Sequence, residues 1–164
     1  MKLSKLARIV PCFAVVMLLL VLPSAFAVDH RVCDSSPADQ ADVVETMRAM
    51  YAAATVDDLE KMHSVTTADF YAFDGGKRFD GDALFELVKS AHAAGTVFVW
   101  TVTEPDVHLS CNVAWISCVN QGSVKNSSGT TKMTWLESAV LVKEKGAWRI
   151  RFFHSTRAPQ QTGG

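Results

Sequence analysis

Few side chains in this sequence can do chemistry near neutral pH, and one of them closes a long apolar run. Residues Thr131–Ser155 read TKMTWLESAVLVKEKGAWRIRFFHS. Strict strand alternation puts Trp148, Ile150, Phe152 and His154 on one face and Arg149, Arg151, Phe153 and Ser155 on the other. An imidazole can gain or lose a proton near pH 7, so His154 could serve a pocket as acid, base or hydrogen-bond donor. It could equally be a satisfied core histidine at a strand end. What faces it depends on the turn at Lys145-Gly146. A three-residue loop, Glu144 to Gly146, places Leu136, Ser138, Val140 and Val142 on the His154 face. A two-residue turn places Trp135, Glu137 and Ala139 there, with Glu137 opposite His154. A one-residue slip exchanges the faces completely. Lys145 is a poor residue for positive φ, so the three-residue loop is the expected one.

The second candidate is Asp74, in an Asp-Gly-Gly step. By itself it reads as an ordinary turn residue, although a carboxylate can act as a base where burial raises its pKa. Tyr71, Trp100, Trp115, Trp135, Trp148 and Phe152 are the aromatic side chains that could line a pocket. Plain core packing is the competing reading for each. His30, His63, His92 and His108 lack paired ligand spacing, so no metal site is expected. No nucleophile elbow, glycine-rich phosphate loop or Cys–His pairing is present, and no cofactor is expected.

The first 27 residues read as a leader rather than as part of the fold. Lys2, Lys5 and Arg8 precede an apolar run from Val10 to Leu22, and PSAFA at Pro23–Ala27 supplies a helix breaker and a small-residue cleavage site. This is the pattern of a secretory signal peptide, cleaved after Ala27, and the run is too short for a comfortable membrane span. A secreted or periplasmic location, with no membrane attachment after cleavage, is the expectation. Loss of three cations with the leader takes the formal charge from −1 to −4, which disfavours nucleic acid as a partner. Residues 28–164 are enough for one domain with a real core.

Of the four cysteines, Cys12 leaves with the leader. An extended strand would hold Cys111 and Cys118 about 23 Å apart, far beyond disulfide reach. If a bridge forms, Cys33 is therefore expected at one end, with Cys111 or Cys118 at the other. Buried free thiols are the alternative.

Several elements must position these groups. Residues 28–36 form a polar lead-in. Ser36-Pro37-Ala38-Asp39 is a helix start, followed by Val43, Val44, Met47, Met50, Tyr51 and Ala54 at helical spacing. Asp57 to His63 reads as a second, short helix. Phe70–Phe73 and Lys77–Phe79 are brief strands around the Asp74 turn, and Gly81–Ala94 is a third helix ended by Gly95. The period then changes to that of strands: Thr96–Leu109, bent at Glu104-Pro105, then Val113–Ser123 and the long hairpin. Residues 157–164 read as a disordered tail. Helices followed by long antiparallel strands make an α+β fold.

With the elements in this order, residues from about Val43 to Ser155 resemble the SnoaL-like branch of the nuclear-transport-factor-2-like superfamily, which includes ketosteroid isomerase. The resemblance rests on VDDLEKM at Val56–Met62, the strand–Asp74-Gly75-Gly76–helix step, and VKEKGAWRIRFFHS at Val142–Ser155. It implies a SnoaL-like domain over residues 37–156: a cone in which a curved antiparallel sheet, cystatin-like, wraps the N-terminal helices around a pocket. The pocket would take a small apolar or amphipathic molecule. The resemblance also implies a homodimer joined through the convex sheet face, which would carry Arg149, Arg151 and Phe153. Asp74 falls where ketosteroid isomerase relatives hold their general base. Their oxyanion hole uses a helix-1 Tyr and a late-strand Asp. Those positions fall near Met50 and near Ala139 or Val140 in this chain, with Tyr51 turned about 100° away, so no second acid is expected in the pocket.

Overall fold

The computed structural model describes residues 36–159. Helix α1 (Pro37–Thr55) and helix α2 (Leu59–Val65) lead into strands β1 (Thr66–Asp74) and β2 (Lys77–Asp80). Helix α3 (Ala83–Ala93) follows, then β3 (Val97–Ser110), β4 (Val113–Asn126), β5 (Gly129–Glu144) and β6 (Ala147–Arg157). The leader and Cys33 lie outside the described residues, as do all but Ser36 of the polar lead-in and the tail beyond Pro159. Strand β6 itself runs through Arg157, one residue past the expected domain end, because Arg157 still pairs with Trp135.

The start of α1 follows from its sequence. Ser36 Oγ accepts from the Asp39 N–H at 3.2 Å and Asp39 Oδ2 accepts from the Ser36 N–H, a capping box with Pro37 in the first turn. Asp39 also takes hydrogen bonds from Lys143 Nζ (2.5 Å) and Trp148 Nε1 (3.2 Å), which ties the helix start to the β5–β6 turn. Those donors hold its carboxyl down at a pKa of about 2. One stripe of α1, Val43, Met47, Met50, Ala53 and Ala54, is buried against the sheet.

The six strands form one sheet in the order β2-β1-β6-β5-β4-β3. Every neighbouring pair is antiparallel except β1 and β6, which run parallel; to this extent the sheet is mixed. Ile116, Leu141 and Ile150, fully buried, meet α1 from the inner face together with Trp148 and Phe153. The bend expected at Glu104-Pro105 is present as a register shift between Thr103 and Asp106, with Glu104 at φ 50°. At Gly122 the β3 backbone comes so close that a Cβ would lie 1.8 Å from the Val99 carbonyl oxygen. Only glycine fits there.

Two features of the last hairpin depart from strict alternation. The turn is the two-residue one: Glu144 pairs with Ala147, while Lys145 (φ 51°) and Gly146 (φ 85°) both take left-handed conformations. Such a turn matches the right-handed strand twist, and the ladder it starts outweighs the roughly 1 kcal/mol that Lys145 loses in that region. Further along, the pairing shifts between Leu141↔Ile150 and Val140↔Phe152, leaving Arg151 as an extra residue. The bulge reverses the faces. Trp148 and Ile150 point inward before it, Phe153 and Ser155 after it, and Phe152 and His154 turn outward. Arg151 reaches across to Asp69 (Nε–Oδ2 2.9 Å), where β1 makes its own register shift between Thr66 and Tyr71.

Candidate functional site

The inner face, α2, α3 and the irregular stretch of β1 enclose a cavity of about 700 Å³. Aromatic and aliphatic side chains make most of its wall: Phe98, Trp100, Trp135, Phe153 and Phe70, with Leu84, Phe85 and Val88 from α3. Phe98 and Trp100 stack face to face (5.1 Å, 7° between planes), and Trp100 lies 5.4 Å from the Tyr51 ring. Helix α3 is fastened over the cavity at both ends. His63 Nε2 meets Asp82 Oδ1 at 2.8 Å, and His92 Nδ1 meets Asp57 Oδ1 at 2.9 Å.

The polar groups form a row across the sheet. Asp74 on β1 pairs with Ser155 on β6, Ser155 with Glu137 on β5, and Glu137 with Cys118 on β4. Strand spacing puts the Asp74 and Glu137 Cα atoms about 10 Å apart, and both side chains line the cavity. Glu137 is only 5% exposed. Its Oε1 accepts from the Tyr51 hydroxyl and lies 3.5 Å from Ser155 Oγ. Its Oε2 accepts from Asn120 Nδ2 at 3.3 Å and faces Cys118 Sγ at 3.8 Å.

Burial is the dominant influence on Glu137 and pushes its pKa up to about 7, against the opposing effect of these donors. Burial, and then the adjacent carboxylate, hold the Tyr51 hydroxyl well above its ordinary pKa, so it remains an O–H donor. Burial likewise raises the Cys118 thiol to about 12. Asp74, half-buried, is raised by burial; the Gly75 N–H, Arg157 and His154 oppose the rise. The site therefore holds one carboxyl whose pKa burial raises to about 7, a hydroxyl in contact with it, and a second carboxyl about two strands away.

The expected site residues divide. Asp74, Trp100 and Trp135 line the cavity. His154, Tyr71, Phe152 and Trp115 do not. The β6 bulge turns His154 outward, where Nε2 meets Thr156 Oγ1 at 3.2 Å. Phe152 turns outward with it and packs against Tyr71 and Phe73, while Arg78 covers the Tyr71 ring. Trp115 stacks on His108 at 3.8 Å on the outer face. Trp148 is buried beside the start of α1, bonded to Asp39, rather than in the cavity wall. Phe153, expected on the convex face, is buried and lines the cavity. Cys111 is disulfide-bonded and Cys118 is a free, buried thiol, so Cys118 is no end of a bridge; the Cys33 side lies outside the described residues.

The expected three-residue loop turned Glu137 away from the His154 face; the two-residue turn brings it in, the bulge sets Ser155 opposite it, and Tyr51, expected to turn away, lines the same cavity. A signal for Glu137 was present. Trp135, Glu137, Ala139 and Leu141 alternate as one buried face, and Glu137 is its single charged member. Among the described residues, no three His, Cys, Asp or Glu side chains gather to hold a metal ion.

The family model for the SnoaL-like domain matches residues 43–158. The chain belongs to the SnoaL-like family. Solved structures share its fold. The CaMKII hub of S. rosetta is 18% identical with a TM-score of 0.63, covering 76% of this chain and 98% of its own. A ketosteroid isomerase-like protein from Erwinia carotovora atroseptica is 19% identical, TM-score 0.62, covering 76% and 100%. A protein of the nuclear-transport-factor-2-like family from Streptomyces avermitilis is 13% identical, TM-score 0.65, covering 74% and 97%. At these identities the likeness is one of fold. No curated protein matches the chain in sequence. The α+β cone expected of a SnoaL-like domain is the fold observed.

Proposed function

We propose that this SnoaL-like domain binds a small apolar or amphipathic carbonyl compound in its cavity and moves a proton on it, as an isomerase or cyclase does. The observation that carries the reading is the buried Tyr51–Glu137 pair, set in an apolar cavity that also holds Asp74. Asp74, with its pKa raised, takes a proton from the carbon next to the carbonyl. The electron pair of that C–H bond moves toward the carbonyl oxygen, which becomes an enolate. Near pH 7 Glu137 can hold a proton and give a hydrogen bond to the Tyr51 oxygen. That frees the Tyr51 O–H to point at the enolate oxygen. Asp74 then returns the proton to another carbon. The leader at residues 1–27 would place this activity outside the cytoplasm.

The test is exchange of solvent deuterium into the α-carbon of a panel of small apolar ketones, followed by NMR. The wild-type protein should catalyse exchange. Asp74→Asn should lose it by about 100-fold or more without loss of stability, and Tyr51→Phe by about 100-fold. Ketones that bind without exchanging would reduce the protein to a binder and overturn the catalytic reading.

A second reading concerns assembly, and one observation favours it. The outer sheet face leaves Leu136 (52%), Trp115 (49%) and Phe73 (41%) exposed beside Val113. So much apolar surface on one face suits a second copy of the chain, and a structure of the same fold, from C. elegans CaMKII, is named an association domain.

A further inference from the structure

We propose that Asn120 is a positioning residue that fixes the Glu137 proton on Oε1, the oxygen facing Tyr51 and the cavity. The inference rests on the proton-moving reading above and says how its acid is aimed.

Asn120 lies on β4, fully buried. Its orientation is decided by the backbone. Oδ1 accepts from the Thr101 N–H at 2.8 Å, and a backbone N–H can only donate. The side-chain amide is therefore set with its oxygen toward β3 and its NH2 group toward Glu137 Oε2, at 3.3 Å. An NH2 group has no lone pair to offer a carboxylic acid proton. Cys118, the other neighbour of Oε2, is at 3.8 Å and is a poor acceptor. A proton on Oε2 would have no good partner and would leave Asn120 donating to a hydroxyl oxygen, a weaker acceptor than a carbonyl oxygen. A proton on Oε1 meets two oxygens that can accept, Tyr51 Oη and Ser155 Oγ, and both residues line the cavity.

The groups acting on Glu137 are burial followed by Tyr51 of α1, Asn120 and Cys118 of β4, and Ser155 of β6. None of these partners is a cation, so the choice of oxygen falls to hydrogen bonding. Asn120 makes the choice without touching a ligand, since it is not part of the cavity wall. Its anchor on Thr101 also links the acid to the strand that carries Trp100, a wall of the same cavity.

The experiment is infrared titration of the Glu137 carboxyl in the disulfide-intact protein, with Glu137→Gln identifying its band. In the wild type, the protonated C=O oxygen is Oε2 and accepts from Asn120. Asn120→Leu should move the C=O stretch to higher frequency and raise the titration midpoint by about one to two pH units, because the ionised form loses a charge-assisted bond. Tyr51→Phe should leave the C=O stretch close to its wild-type position. An Asn120→Leu protein with an unmoved stretch would overturn the assignment.

If that variant fails to fold, the wild-type protein answers alone through its 15N-labelled asparagine side-chain amides. The amide that follows the Glu137 midpoint should stay protected from exchange on the acid side, still bonded to Oε2. Loss of protection below the midpoint would place the proton on Oε2 and sink the proposal. Neither measurement uses turnover. Absence of ketone exchange would end the catalytic reading and leave the placement of the proton standing.

Discussion

Replacing Glu137 with Gln should change how stability depends on pH, by an amount the site itself sets. Burial lifts the folded-state pKa from 4.5 to about 7. Between those values the folded protein holds a proton that the unfolded chain has released. Stability is therefore fully present below about pH 4.5, falls as pH rises, and has lost its whole Glu137 contribution above about pH 7. The gap corresponds to about 3 kcal/mol. Gln has the shape of the protonated acid and does not titrate. Relative to wild type, Glu137→Gln should then gain about 3 kcal/mol of stability between about pH 4.5 and about pH 8. Asp39, Asp69 and Asp74 titrate in both proteins and cancel in the difference. The assay is urea unfolding of both proteins at several pH values, disulfide intact, read by the fluorescence of the buried Trp135 and Trp148. A difference between the two proteins that stays constant across this range to within about 0.5 kcal/mol would refute a raised Glu137 pKa. With it would go the account of an acid that can hold a proton behind Tyr51.

Two further outcomes follow from packing. Gly122→Ala would push a Cβ to 1.8 Å from the Val99 carbonyl oxygen, so β3 and β4 must part beside Trp100; a loss of about 3 kcal/mol is expected in thermal or urea unfolding, and an unchanged midpoint would show that the strands give way freely. Leu136→Glu on the outer face should convert a dimer to monomer in sedimentation at unchanged thermal stability, and a wild-type protein that sediments as a monomer would remove the assembly reading.

Much of the fold was legible because its signals are local. The capping box at Ser36, the apolar stripe of α1, the bend at Glu104-Pro105 and the period change after Gly95 each depend on neighbours within a few residues. The site was less legible because it hangs on two departures from regularity. The left-handed Lys145 is unfavourable taken alone and is held by a ladder extending from Glu144↔Ala147 to Trp135↔Arg157. The extra residue at Arg151 has no local signature; its partner Asp69 is remote in sequence, and only the juxtaposition of β1 and β6 makes a bulge favourable there. Together these two features exchange His154 for Ser155 and bring Glu137 inward. Asp74 was singled out through the resemblance to ketosteroid isomerase relatives, since its place in an Asp-Gly-Gly step reads by itself as an ordinary turn. Tyr51 was passed over because a side chain at the edge of a helical stripe reaches the cavity only through the curvature of the sheet around it.

The strand order has a consequence for how the chain acquires its shape. Strand β6 sits between β1 and β5, so the β1–β2 hairpin has no sheet to join until the final described strand arrives. The contact between Asp74 and Ser155 closes a loop of some eighty residues, a slow search compared with zipping the β3–β4–β5 meander. During synthesis that meander can form while the first hairpin waits with an open edge. A nascent chain stalled after β5 would carry Glu137 and Cys118 in register but lack Ser155 opposite them. The carboxyls proposed as acid and base lie on strands that only β6 joins into one sheet, so a chain without β6 in place lacks the sheet that holds them in one chamber.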